Sequence, residues 1–144
     1  MKALIAVCVA AVLNSAAKAE EVPEPPLVCG DFLKELNLQR PDVEFFSCAS
    51  FRDNGSRPEG LEAVYRVQGK DIAKVESWLI RIAKVKRLVF ACCGWQTPNH
   101  GTLRDRIGST YLVSMGGEAL VSQRKDFSRI PYLNVYVRHY FYVP

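Results

Sequence analysis

The chain has 144 residues, 49% hydrophobic and 24% charged, with a formal charge of +4. That balance belongs to a compact folded protein rather than a disordered one. It argues against a strongly cationic nucleic-acid binder, and the length argues against a multidomain enzyme.

The first segment reads as an export signal. Lys2 supplies the positive start, Ala3 to Leu13 an apolar run of 11 residues, and Ala17-Lys18-Ala19 a small-x-small cleavage site. Spanning a bilayer takes about 20 residues, so no stable membrane anchor is expected once residues 1–19 leave. From 144 residues, removal of 19 leaves 125; the charge falls to +2 as Lys2 and Lys18 depart, and five cysteines become four as Cys8 departs. Residues 20–28, EEVPEPPLV, read as an extended Pro/Glu-rich lead-in, and residues 29–144 as one domain.

A short helix is predicted over residues 31–38, with Asp31 as N-cap and Phe32, Leu33 and Leu36 as its apolar side. Pro41 breaks the chain. Residues 43–51 (VEFFSCASF) predict a strand, Asp53-Asn54-Gly55-Ser56 a turn, and residues 61–68 (LEAVYRVQ) the second strand of a hairpin. Asn54-Gly55-Ser56 also matches the glycosylation sequon, although an Asn-Gly turn requires no such explanation. From Lys70 to Lys84, Ile72, Val75, Trp78, Leu79 and Ile82 recur at helical spacing and predict the one long helix.

Residues 87–93 (RLVFACC) read as a strand buried on both faces, Gly94 to Gly101 as a loop, and residues 109–115 as a strand ended by Gly116-Gly117. Residues 118–129 are ambiguous between a short helix and an irregular edge, and residues 132–143 predict a long final strand. The fold class expected is α+β: an antiparallel sheet of about five strands with one long and one short helix packed on one face, and a crossover through the long helix.

In an exported protein, Cys29, Cys48, Cys92 and Cys93 are expected to be disulfide-bonded. Neighbouring side chains on a strand point to opposite faces, which favours pairing Cys92 and Cys93 separately with Cys29 and Cys48, in either crossed arrangement. The alternative joins Cys29 to Cys48 and leaves a vicinal Cys92–Cys93 link. Each long-range bridge would contribute about 2–4 kcal/mol.

Catalytic signals are sparse. Cys92 or Cys93 with His100 as base could make a thiol enzyme, and Cys93-Gly94-Trp95 is similar to a thiol-protease nucleophile segment. The surrounding spacing departs from that pattern, and no orienting Asn or Asp can be assigned. Paired Cys-x-x-Cys and His-x-x-x-His spacings are absent, so no metal site is predicted. No nucleotide-phosphate loop or lipase-type serine elbow is present either, and no cofactor is expected.

The charge is unevenly distributed. Glu20 to Glu62 carries ten acids and four bases, whereas Ala63 to Pro144 carries five acids and thirteen bases. Such an asymmetry would steer an acidic partner, unless the two halves neutralise each other in space. The final strand carries the strongest binding signal. Its odd-numbered residues, Leu133, Val135, Val137, His139, Phe141 and Val143, make a core face. The even-numbered Tyr132, Asn134, Tyr136, Arg138, Tyr140 and Tyr142 would face solvent as a candidate binding surface. Tyrosine and arginine combine contact area with polar tips and dominate interface hot spots.

The pattern Cys29-Gly30-Asp31-Phe32-Leu33, Cys48, Ala63-Val64-Tyr65-Arg66-Val67 with Gly69, Val75-Glu76, Cys92-Cys93-Gly94-Trp95 and Tyr111 to Met115 resembles a family of small exported bacterial proteins. That family is catalogued as a domain of unknown function, and the resemblance spans roughly residues 28 to 143. It implies a periplasmic or secreted location and no activity. Together these readings favour a non-enzymatic, inhibitor- or immunity-like module that binds a protein partner in the cell envelope or outside the cell. The alternatives are a small thiol-dependent enzyme or redox protein using Cys92, Cys93 and His100, and recognition of an acidic envelope polymer by the basic half.

Overall fold

A computed structural model describes residues 28–52 and 60–141; the segment expected to be an export signal, the Asn54 sequon match, Tyr142 and Val143 lie outside the described residues. The order is α1 (Phe32–Glu35), β1 (Glu44–Phe51), β2 (Gly60–Gln68), α2 (Ile72–Ala83), β3 (Val89–Ala91), β4 (Gly94–Gln96), β5 (Gly101–Arg104), β6 (Thr110–Glu118) and β7 (Tyr132–Tyr140). A 3-10 turn at Gly69–Asp71 leads into α2, and another at Arg124–Arg129 precedes β7. The strands form one antiparallel sheet ordered β1-β2-β7-β6-β4-β3, with β5 also paired to β6.

The α+β class stands, with seven strands where about five are expected. The difference lies between residues 87 and 104. The strand expected over 87–93 is a hairpin: β3 covers only Val89–Ala91, and Gly94–Gln96 returns beside it as β4. Val89 and Ala91 are exposed rather than buried, because β3 is the outermost strand. The loop expected from Gly94 therefore contains β4 and the start of β5. Gly116-Gly117 likewise does not end a strand but lies within β6. A Cβ on Gly116 would sit 2.6 Å from the Trp95 carbonyl oxygen, so the missing side chain lets β4 approach β6. The expected crossover through α2 joins β2 to β3, with β7, β6 and β4 lying between them.

The core lies on one face of the sheet. Alternation on β7 buries Leu133, Val135 and Val137 completely. Opposite them pack Ile72, Val75, Trp78 and Leu79 of α2, Phe32 and Leu33 of α1, and Phe127 and Ile130 of the second 3-10 segment. Asp31 caps α1 as its spacing predicts, accepting from the Lys34 N–H. The helix is shorter than expected, ending at Glu35, and Asn37 follows with φ of 55°. Tyr65 of β2 ties this end down: its hydroxyl donates to Asp31 at 2.9 Å and accepts from the Leu33 N–H at 2.9 Å. Burial, reinforced by the nearby Asp31 carboxylate, pushes the Tyr65 phenol above its ordinary range and keeps it neutral.

One carboxylate interrupts the apolar face of α2. Glu76, only 3% exposed, accepts both terminal guanidinium nitrogens of Arg124 and the Leu88 N–H, the last at 2.6 Å. This fork fastens α2 to the segment before β3 and to the segment before β7. Asp42, in the segment before β1, pairs with Arg40 at 2.6 Å and with Lys74 of α2 at 3.1 Å. The Arg40 hydrogen bond, aided by Lys74, holds the Asp42 carboxyl at about 2, despite the opposing effect of burial.

Two stability predictions arise from these buried carboxylates. Glu76→Ala removes the buried partner of the half-buried Arg124 guanidinium and leaves the Leu88 N–H without its acceptor, and is expected to cost about 1–3 kcal/mol in chemical denaturation. An unchanged midpoint would show that the fork contributes nothing. The Asp42 carboxyl is depressed from 3.8 to about 2, so its contribution is present above about pH 4 and disappears as pH falls through about 2. Across that window the native protein should lose about 2 kcal/mol more stability than Asp42→Asn, and parallel pH–stability curves would refute the coupling.

Candidate functional site

The face of the sheet opposite the core is not covered by any described helix. Its residues follow from register: Glu62, Val64 and Arg66 of β2 lie beside Arg138, Tyr136 and Asn134 of β7, and Ser114 and Gly116 of β6 lie beside Tyr136 and Asn134. The structure thus brings Tyr132, Asn134, Tyr136, Arg138 and Tyr140 to the side expected for them; Tyr142 falls outside the described residues. It corrects how far they project. Only Tyr132 is exposed, at 43%, while the other four are half-buried. The reason is position: β7 lies in the sheet interior, so the side chains of β2 and β6 flank it on both sides.

These residues are ordered by guanidinium–aromatic contacts. Arg66 lies over Phe46 at 3.5 Å and over Tyr132 at 4.5 Å, forming a three-layer stack across β1, β2 and β7. Arg138 donates to Glu62 and lies 4.9 Å from the Phe51 ring, which in turn meets Tyr140 edge-on at 5.0 Å. Between the two groups the Asn134 amide donates to the Tyr136 hydroxyl at 3.0 Å. The Glu62 carboxylate raises Arg138 above its ordinary value despite partial burial. Phe46 and Arg66 escaped the sequence reading. A bulge in the β1–β2 register between Phe45 and Ser47 lets Phe46 and Ser47 share this face, while Phe45 meets core residue Tyr65 edge-on at 5.6 Å. The adjacent Phe45-Phe46 pair is the available signal, since alternation puts one of the two on the face away from the core.

Beside this surface lies an open cleft of about 600 Å³. Tyr136 and Arg138 form one wall; Gln96, Ser114 and Gly116 line it further along; Cys92, Cys93, Glu118 and His100 complete it. The tyrosine strand and the Cys92/Cys93/His100 group, which the sequence offers as rival sites, therefore share one cavity.

The disulfide pairing reverses the favoured expectation. Cys29 is bonded to Cys48, with their Cα atoms 5.6 Å apart, and Cys92 is bonded to Cys93. A vicinal link is disfavoured where both cysteines occupy a strand. Here they form the turn between β3 and β4, where Cys92 has φ of 53° and the Cys93 N–H donates to the Ala91 carbonyl at 2.7 Å. A γ-type turn of this kind lets adjacent side chains converge as a strand does not. Both cysteines being bonded, neither is a thiolate nucleophile in this state. Among the described residues there is no cluster of three metal-ligating side chains.

Ion pairs also link the two charge halves. Lys74 meets Asp42 and Arg138 meets Glu62, so part of the asymmetry along the chain is neutralised in space. No described helix is long and apolar enough to cross a membrane.

No curated protein and no solved structure matches this chain. A family profile does, over residues 18–95, more than half of the sequence. The matched segment runs from before α1 into β4 and contains all four cysteines of the two bridges, whereas the β6–β7 half of the open face lies beyond it. By this match the chain belongs to the family described as a domain of unknown function, DUF4952.

Proposed function

We propose that this protein is an exported, non-enzymatic binding module that recognises a protein partner through the open face of its sheet. The observation that carries the reading is the position of β7. Its apolar residues face the helices, while Tyr132, Tyr136 and Arg138 lie on the side that no described element covers. A sheet face bearing tyrosines and stacked arginines suits a protein surface better than a small metabolite. Such side chains give large contact area, and their ordering by Phe46, Phe51 and Glu62 lowers the entropy lost on docking. Residues 1–19 support export by their pattern, and the two disulfides are compatible with an oxidising compartment such as the periplasm or the exterior. The cell envelope of a bacterium is the setting this build suits, and an inhibitor- or immunity-like role is the kind of task it fits.

Affinity capture from the host's exported fraction tests the proposal, using the mature protein and a Tyr132→Ala/Tyr136→Ala variant as paired baits. The double variant should retain its melting temperature within a few degrees and lose partner binding about tenfold or more. Equal capture by a folded variant would refute the surface assigned here, and unfolding of the variant would show the tyrosines to be structural.

A further inference from the structure

The Cys92–Cys93 bridge has no evident task in stability. A disulfide stabilises chiefly by restricting the unfolded chain, to an extent that grows with the length of chain enclosed. Cys29 and Cys48 are 19 residues apart, so their bridge restricts a substantial loop and anchors the segment before α1 to β1. Cys92 and Cys93 are adjacent and enclose nothing.

The fold around the turn has anchors other than the sulfur–sulfur bond. Backbone pairing holds the β3–β4 hairpin through Ala91 and Gly94, Phe90 and Trp95, and Val89 and Gln96. The Ala119 N–H donates to the Cys93 carbonyl at 2.9 Å, and the Trp95 ring, 4% exposed, is fixed by its N–H to the Val121 carbonyl at 2.7 Å. Both cysteines are nevertheless exposed and line a cleft wide enough to admit another molecule. We infer that the Cys92–Cys93 turn is a thiol–disulfide exchange site, reduced and reoxidised on the folded protein by a dithiol partner. This inference does not require the partner binding proposed above, although Tyr136 and Arg138 of that face line the same cleft.

The chemistry balances as a two-electron exchange. A thiolate of the dithiol attacks one cysteine sulfur, breaks the Cys92–Cys93 bond and forms a mixed disulfide. The other cysteine leaves as a thiolate and takes up a proton. The second thiol of the partner, once deprotonated, attacks the mixed disulfide. It closes the partner's own disulfide and releases the remaining cysteine, which is protonated in turn. Two electrons and two protons have then passed to the protein, and the partner is oxidised. Arg138 and His100 line the cleft where the leaving thiolate forms, with the Glu118 carboxylate opposing them.

The test uses the full chain isolated without reductant, titrated with dithiothreitol, alkylated and mapped by mass spectrometry. Cys92 and Cys93 should become alkylated at about tenfold less dithiothreitol than Cys29 and Cys48. Circular dichroism and melting temperature should stay unchanged, and oxidised glutathione should restore the vicinal bridge. Simultaneous reduction of both bridges, reduction only on unfolding, free thiols at these positions on isolation, or a bridge from either to Cys29 or Cys48 would each overturn the inference. A Cys92→Ser/Cys93→Ser variant gives a second reading: a native melting temperature supports the exchange site, and loss of the fold would mark the bridge as structural.

Discussion

Strand β7 lies between β2 and β6, and its alternation organises both sides of the molecule. Leu133, Val135 and Val137 point one way and are completely buried, so α1, α2 and the second 3-10 segment must all gather on that side to cover them. The pleat leaves no choice for Asn134, Tyr136 and Arg138, which emerge on the other face. A shift of one residue in the β2–β7 register would exchange the two sets. Core and candidate surface are thus one constraint seen from opposite sides, and the apolar burial that fixes the first also fixes the second.

That coupling gives the open face a rigid base. Arg66 and Arg138 are long, flexible side chains that would ordinarily sample many rotamers, yet each is held against aromatic rings contributed by neighbouring strands. The cleft beside them is equally built by the sheet. Gly116 lacks a side chain where β4 closes on β6, and the Cys92-Cys93 turn projects from the tip of the next hairpin. Stability is anchored elsewhere, in the Glu76–Arg124 fork and the Asp42 cluster, both of which hold α2 to other segments.

Several elements were legible in the chain because local rules govern them. The apolar residues of α2 recur at helical spacing, Asp31 stands where an N-cap belongs, and β7 alternates from Tyr132 to Val137. Others were illegible because their cause lies far away in sequence. Phe90 and Trp95 read as parts of a strand and a loop, but they pair across a two-residue turn and pack edge-on at 5.5 Å. The burial of Glu76 is not marked by helical spacing, because Arg124, remote in the chain, makes it tolerable. The bulge after Phe45, which lets Phe46 and Ser47 share the open face, is contained in no period-two pattern.

The sequence alone determined the class of the fold, the long helix, the inner and outer residues of the last strand, and which cysteines carry the disulfides. These are outcomes of short-range periodicity and of residue chemistry. Tertiary structure alone decided the disulfide partners, the interior position of β7, and the meeting of Cys92, Cys93 and His100 with Tyr136 and Arg138 in one cleft. Each of these depends on strand order and turn geometry, which arise when distant segments bury a shared apolar face.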